Sequence, residues 1–463
     1  MKETIKKLFG FSVGPIIVFL IGVISIPITT HFINPTEYGK VAMFTLAQSI
    51  LGISIFLGLD QGFVRFFNEE KDSKKLLQNS ILIPFILSLL IFVILLIIPG
   101  SISKILFGNP NYKIPIYVLG FTIPLMIFEK FLLLSIRMKE KAKSYSFFLI
   151  LIRLITFIST IIFITLIRKD FLSIVYSTVI GQIIGDIILI ITYRKDIEFK
   201  FENIDKILLK KLIKYSIPLL LVSLIGWGLN SMDKVFLRIY STFEEIGYYN
   251  VALKISNLLL TIQTCFTTFW VPTAYRWYKE KVDNKSFTIV SEIVSFVMSI
   301  IFLLILLFKD LFPILISNTY KYSIYIIPFL LLYPIMYTIS ETTTLGIPFS
   351  KKSHLNIIVS ILSIITNLIL NYILVPKMGA IGAAIGTGIS YMVFFWSRTI
   401  ISRKLWYKFS LIKFFLVSTI LLVATFINSF VKSNIYVYII NIILILFVVL
   451  IYKNLIQEIK KRI

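Results

Sequence analysis

Cysteine is nearly absent. Cys265 stands alone, so no disulfide can close within the chain. The only histidines, His31 and His354, are far apart, and with one cysteine they make no recognisable metal-ligand spacing. Charge is scarce as well: Asp, Glu, Lys and Arg make up 15% of the 463 residues, against about 25% in an ordinary soluble domain. The acidic sign is the scarcer, 23 residues against 47 Lys and Arg, for a net charge of +24. No G-x-x-x-x-G-K-[ST] loop occurs, which argues against an ATP-driven pump within this chain. No stretch between apolar segments is long enough for a soluble domain. A membrane sugar polymerase or glycosyltransferase usually carries a sizeable outer loop, so neither an enzyme nor a cofactor is expected.

Apolar side chain is what the sequence has in excess. The residues are 57% hydrophobic, with mean hydropathy +0.91. A soluble core cannot hide that much, so lipid must solvate the outer faces. Excess base is one signature of nucleic-acid binding. Here it comes in short clusters between apolar runs, the pattern of membrane topology, and no nucleic-acid partner is expected.

Runs of roughly 20 mostly apolar residues, enough to span a bilayer, fall near 11–33, 38–60, 79–99, 114–136, 145–167 and 172–193. After a polar break from Arg194 to Lys214 come 212–239, 246–272, 287–308, 323–347, 354–376, 380–402, 409–429 and 434–452. The expected fold is all-α and polytopic, with about fourteen transmembrane helices. The first run is too long for a signal-peptide core and lacks an A-x-A-like end, so it reads as a retained span. With the N-terminus inside, the inner loops collect Arg65, Lys71, Lys74 and Lys75, then Arg137, Lys139, Lys141 and Lys143, then the Arg194–Lys214 linker; the tail adds Lys460, Lys461 and Arg462. Outer loops hold fewer cations, among them Lys104, Lys113, Arg168 and Lys169. The asymmetry places both termini in the cytoplasm.

The halves repeat. KKLFGFSVGPIIVFL leading to PTEYGKVAMFTLAQSIL matches KKLIKYSIPLLLVSL leading to TFEEIGYYNVALKISNLL, with Pro15 on Pro218, Glu37 on Glu245 and Gly39 on Gly247. Six spans, an even number, separate the copies, so both share one orientation. Parallel repeats of this kind are a transporter architecture with the site near the midplane. The expected division is an N-terminal lobe over 1–198, a C-terminal lobe over 199–405, and two further spans with a cytoplasmic tail over 406–463.

Two stretches carry a resemblance. Pro35–Asn68 has a P-x-E-Y-G turn and a G-L-x-x-G-x-x-R-F exit. Thr366–Tyr391 has Asn367, Asn371, Pro376, Gly379, Gly382, Ala383, Ala384 and Thr387 in an N-x-x-x-N…P-x-x-G-x-x-G-A-A-x-x-T pattern. NSMDKVFL, with Asp233, is similar to a seventh-helix motif. These residues resemble the oligosaccharide flippase family, which includes the O-antigen flippases, within the multidrug/oligosaccharidyl-lipid/polysaccharide exporter superfamily. The resemblance implies two six-helix lobes in a V, alternating access, and cargo on an undecaprenyl-diphosphate lipid, crossing the bacterial cytoplasmic membrane for O-antigen, capsule or exopolysaccharide assembly.

Ionisable residues inside spans are costly and are functional candidates by default. A diphosphate cargo needs cations, so Lys40, Arg153, Lys234 and Lys254, with Asn257, are candidate substrate-binding residues; Asp233 and Asp186 are candidates for coupling to H+ or Na+. Each has a competing structural reading. Asn250, Lys254, Asn257, Thr261, Thr264 and Thr268 line one face of the eighth helix, facing either a wet cavity or a partner helix. Asp233 either binds an ion or neutralises a lysine. Lys40 lies near the outer end, where it can snorkel. Arg153 lies about 12 Å from the inner end at 1.5 Å per residue, at a depth similar to Asp186, its expected partner. Lys130 reads as a surface pair with its neighbour Glu129, and Glu292 and Glu341 as solvated inner-end groups. The stripe Asn356, Ser360, Ser363, Asn367 and Asn371 reads as helix packing. Gly382 and Gly386 have close-packing spacing inside a span rather than the context of a nucleotide loop. The other reading kept open for the whole chain is a cation antiporter of the multidrug and toxin extrusion type.

Overall fold

Hydrocarbon offers no hydrogen bonds, so a chain this apolar must satisfy its backbone within helices. The computed structural model describes residues 2–197, 200–455 and 457, without the side chains of residues 2–10 and 12. The chain is helical almost throughout, and no strand occurs among the described residues. The basic tail expected at Lys460–Arg462 lies outside them.

Two compact units divide the chain, Met1–Trp227 and Gly228–Ile463. The first contains α1 (Lys2–Phe32), α2 (Pro35–Phe56), α3 (Leu59–Phe66), α4 (Ser73–Ile97), α5 (Pro99–Phe107), α6 (Lys113–Met138), α7 (Ala142–Ile162, ending in a π turn over Phe163–Ile167) and α8 (Phe171–Thr192). It closes with the first part of α9 (Lys206–Tyr240). The second takes the rest of α9, then α10 (Phe243–Lys279), α11 (Asn284–Leu307), α12 (Phe312–Leu315), α13 (Ser323–Thr343), α14 (Gly346–Phe349), α15 (Leu355–Leu405), α16 (Ile412–Phe430) and α17 (Ile435–Ile451).

Among the described residues, eleven helices are long and apolar enough to cross a membrane, and the chain is a multi-pass membrane protein. The segments expected from the sequence map onto these eleven, with α15 taking two, plus α10 and the shorter α17. α10 falls outside the eleven because of its polar stripe. α15 is a helical hairpin. Gly379, at φ +53° and ψ −129°, breaks its helical path. Ser363 Oγ then donates to Ser390 O at 3.0 Å across the two arms. A side chain at Gly382 would strike Leu374 O, and one at Gly386 would strike the Asn371 amide, so both glycines let the arms close up.

The linker after α8 is tied to the first unit. Gln78 and Asn79 of α4 read the linker backbone through their amides: Gln78 Nε2 donates to Lys200 O at 2.7 Å, and Asn79 Nδ2 donates to Asn203 O at 2.8 Å. Asp205 accepts from the Lys75 ammonium at 2.8 Å and from the Ile207 and Leu208 amides that open α9. The lysine and those backbone N–H groups hold its carboxyl below the usual carboxylate range. Leu208 and Leu212 then join the buried core of the unit. In the second unit α16 and α17 pack on α11 and α13 rather than standing apart. Asn428 and Asn441 exchange amide bonds at 2.8 and 3.2 Å, and Lys413 pairs with Glu292 at 2.6 Å.

The repeat has a structural counterpart. Asn34 and Thr242 cap α2 and α10 by accepting from the N–H of Glu37 (2.9 Å) and Glu245 (3.3 Å). Each glutamate then reaches to another helix of its own unit. Glu37 Oε2 accepts from Phe171 N, opening α8, at 3.0 Å. Glu245 Oε2 accepts from Ala380 N, opening the second arm of α15, at 2.7 Å. Residues matched by sequence therefore do the same work: a carboxylate placed at the positive end of a helix.

Candidate functional site

Asp233 on α9 is 1% exposed. A lone buried carboxylate costs several kcal/mol, and four side chains compensate it. Asn371 and Asn367 donate to Oδ1 at 2.7 and 3.0 Å. Tyr249 and Thr387 donate to Oδ2 at 2.6 and 2.7 Å. The asparagines lie one turn apart on the first arm of α15, Thr387 on the second arm, and Tyr249 on α10. Asp233 thus joins α9, α10 and both arms of the hairpin. Asn371 Oδ1 is buried without a hydrogen-bond partner. The result is one carboxylate held by four donors, two amide N–H groups and two hydroxyls. Among the described residues no group of three or more His, Cys, Asp or Glu gathers as a metal site.

Lys234, the next residue, and Lys254 on α10 lie within reach of each other's charge. Lys254 is exposed on the helix face and Lys234 half-buried. One turn from Lys254, Asn257 has its side-chain oxygen buried without a partner. Of the α10 stripe, Asn250 is buried while Lys254, Thr264 and Thr268 are exposed on the second unit.

In the first unit the candidates part company. Lys40 pairs with Glu37 at 2.6 Å and lies 5.3 Å from the ring centroids of both Tyr112 and Phe171. It belongs to the capped α2–α8 junction. Arg153 is half-buried, with Nε lacking a partner. It faces α1 and α2, near Gly22 and within the field of Tyr38. The expected Arg153–Asp186 pair is not formed: both Asp186 oxygens are buried without a partner. Asp186 instead feels the charge of Glu129, whose Oε2 is 3.5 Å from Gln182 Nε2, one turn before Asp186 on α8. The helix faces decide this, since depth alone cannot say which way a side chain points.

Other expectations are corrected too. Lys130 pairs not with Glu129 but with Asp60, at 3.6 Å. Glu292 and Glu341 are not solvated singly. Half-buried Glu292 binds Lys413 at 2.6 Å, and buried Glu341 binds Arg398 at 2.8 Å. Asn367 and Asn371, expected to serve only in packing, supply two of the four donors to Asp233. Tyr249 and Glu129 had no sequence signal beyond their type. Thr387 had one: it shares a motif with the two asparagines.

Comparison with known proteins agrees with this architecture. A family model described as "Polysaccharide biosynthesis protein" matches residues 5–277. A probable low-salt glycan biosynthesis flippase, Agl15, from Haloferax volcanii is 22% identical over 188 residues, a match spanning 40% of this chain and 40% of that protein. Among solved structures, a lipid II flippase MurJ in an inward closed conformation superposes with TM-score 0.66 at 17% identity, covering 98% of this chain and 100% of that one. An inward-facing multidrug resistance transporter of the MATE family superposes with TM-score 0.61 at 14% identity, covering 84% and 93%. At such identities the structural likeness speaks for the fold. The family match covers more than half of the chain, and the chain belongs to the polysaccharide biosynthesis protein family.

Proposed function

We propose that this protein flips a lipid-linked glycan, carried on undecaprenyl diphosphate, from the cytoplasmic to the outer leaflet of a bacterial cytoplasmic membrane, with both termini inside. The glycan would be a repeat unit for O-antigen, capsule or exopolysaccharide, moved by alternating access. The observation that carries the proposal is the cationic pair Lys234 and Lys254 beside the unpartnered oxygen of Asn257. Two like charges repel, and Lys234 is half-buried, so a ligand with two adjacent negative groups relieves the repulsion and the cost of burying Lys234. A diphosphate has that charge, and lysines bind phosphate as point charges. The family match and the flippases among the relatives support this cargo class.

Asp233 is the proposed ion-coupling residue. A buried carboxylate beside the unpartnered Asn371 Oδ1 suits a proton or Na+. A cation arriving there would change which donors Asp233 keeps, and those donors come from three separate helical segments. Asp186, buried without a partner, is the second candidate. Lys40 and Arg153 stay in the proposal only as first-unit cations that an anionic headgroup would meet, Lys40 being held by Glu37.

A cation antiporter is the second reading, and the half-buried Glu129 and buried Asp186 carboxylates favour it. The two separate in proteoliposomes. A flippase moves a fluorescent polyprenyl-diphosphate saccharide and no cationic dye. A protein that moves ethidium against a proton gradient and leaves the saccharide lipid in place refutes the flippase reading.

A further inference from the structure

The first unit contains a cavity of about 270 Å3 that none of the roles above uses. Its position follows from a backbone break. α2 stops where Leu57 (φ +50°) and Gly58 (φ +73°) are both left-handed, turning the chain into α3. A side chain at Gly58 would lie 2.6 Å from Ser216 O, and one at Gly62 2.5 Å from Ser216 Oγ, so the turn is clamped directly on α9. Two turns further along α9, on the same face, the helices diverge. Gln48, Ser49 and Phe56 of α2, Asp60 of α3, Lys130 of α6 and Ser223 of α9 line the space left between them.

The lining selects among ligands. Lys130 Nζ lies 3.6 Å from Asp60 Oδ2 and 5.9 Å from the Phe56 ring centroid. The opposite charges cancel, so a phosphate meets Asp60 and a cation meets Lys130, and neither gains. An acyl chain would pack on Ile53, Phe56 and Met126 but would take water from a partly exposed ion pair, a carboxamide and the Ser223 hydroxyl without replacing it, at a penalty for each. What fits is a neutral molecule dense in hydroxyls with one apolar face. Carboxylate, ammonium, amide and hydroxyl groups answer the hydroxyls, and the Phe56 ring answers the apolar face. The volume sits just below the roughly 300–1,000 Å3 of sites for drug-sized ligands, which suits a single sugar ring rather than an oligosaccharide.

We infer that this cavity is a sugar subsite, taking one pyranose ring of the cargo and contributing its glycan selectivity. The inference rests on the proposed glycan cargo, and it deepens that reading by separating recognition of the sugar from recognition of the diphosphate. Trp227 Nε1 donates to Ser49 Oγ at 2.9 Å, which fixes one wall of the subsite.

Saturation-transfer NMR of the full-length protein in nanodiscs, with glucose, galactose and N-acetylglucosamine at millimolar concentration, tests it. At least one sugar should give a signal. The signal should fall at least fivefold in Gly52→Leu and in Ser223→Leu, which fill the cavity from two different helices, and should persist in Lys254→Ala. A first side-chain atom at Gly52 would meet only Phe56 and Met126, at 3.7 and 3.8 Å, so the substitution starts without a clash. Absence of any sugar signal in the wild type, or one unchanged in both filled variants, overturns the inference. Transport of bare polyprenyl diphosphate and of its saccharide-bearing form supplies the second arm. Gly52→Leu should slow only the saccharide form, and equal slowing of both overturns the subsite. If the wild-type protein moves neither lipid, the proposed function fails, while the NMR signal still decides the subsite.

Discussion

Replacing Gly379 with alanine places two penalties on one atom. The backbone there, at φ +53° and ψ −129°, is a conformation that L side chains rarely adopt, and such strain is about 1–3 kcal/mol. The new methyl would also lie 2.6 Å from Glu245 Oε2 and 2.9 Å from its Cδ. The carboxylate must swing away and give up its 2.7 Å bond to the Ala380 amide. Loss of a helix cap of this kind is worth about 0.5–2 kcal/mol. Together Gly379→Ala should destabilise the protein by about 2–4 kcal/mol, measured as the free energy of unfolding in mixed micelles. The second penalty exists only while the glutamate is there. In a Glu245→Ala background the same substitution should be cheaper by about 0.5–2 kcal/mol, a coupling within the range for residues in contact. Gly52→Ala, where the methyl meets ordinary contacts, is the control and should be near neutral. Full stability in Gly379→Ala, or strict additivity with Glu245→Ala, refutes the reasoning that the hairpin depends on this glycine and this cap.

Glu37→Ala and Glu245→Ala should each lower stability by about 1 kcal/mol in the same unfolding assay, since each caps one helix in its own unit. Asp233→Asn should leave a folded protein whose transport no longer depends on the ion gradient, measured by flux with the Na+ or H+ gradient set to zero. Asp233→Leu, which strands four buried donors, should lower stability by about 3 kcal/mol or more. Lys309, in the turn after α11, is buried against Asn428 O at 2.7 Å, and burial pushes its ammonium down to about 8 from 10.5. Between those two values the unfolded chain holds a proton that the folded one has released. Stability from this residue should therefore rise as pH climbs through the window. Lys309→Met should flatten that part of the stability–pH curve.

The spans were legible because hydropathy reports a backbone requirement that no tertiary contact can waive. The α15 hairpin was legible for a similar reason: Pro376 and Gly379 mark a turn in an otherwise continuous apolar run. The repeat carried more than topology, since matching Glu37 with Glu245 on sequence alone located two equivalent caps. Partner choice was not legible. Arg153 and Asp186 share a depth but face different helices, and Lys130 prefers Asp60, 70 residues away in sequence, to its neighbour Glu129. Those outcomes depend on helix rotation, which periodicity constrains only within one helix. The Asp233 site lay between. Its asparagines and threonine stood in one motif, but their convergence on a residue of α9 requires the folded hairpin. The tie between the linker and α4 was not legible either, because Gln78 and Asn79 bind the linker through its backbone, which carries no sequence signal.

The most direct test reconstitutes the purified protein in liposomes holding a fluorescent polyprenyl-diphosphate saccharide in one leaflet and follows its appearance in the other. The wild type should speed translocation well above protein-free vesicles, and Lys234→Ala with Lys254→Ala should cut that rate at least tenfold at matched protein content. Undiminished flipping by the double variant, or no flipping by the wild type, contradicts the account.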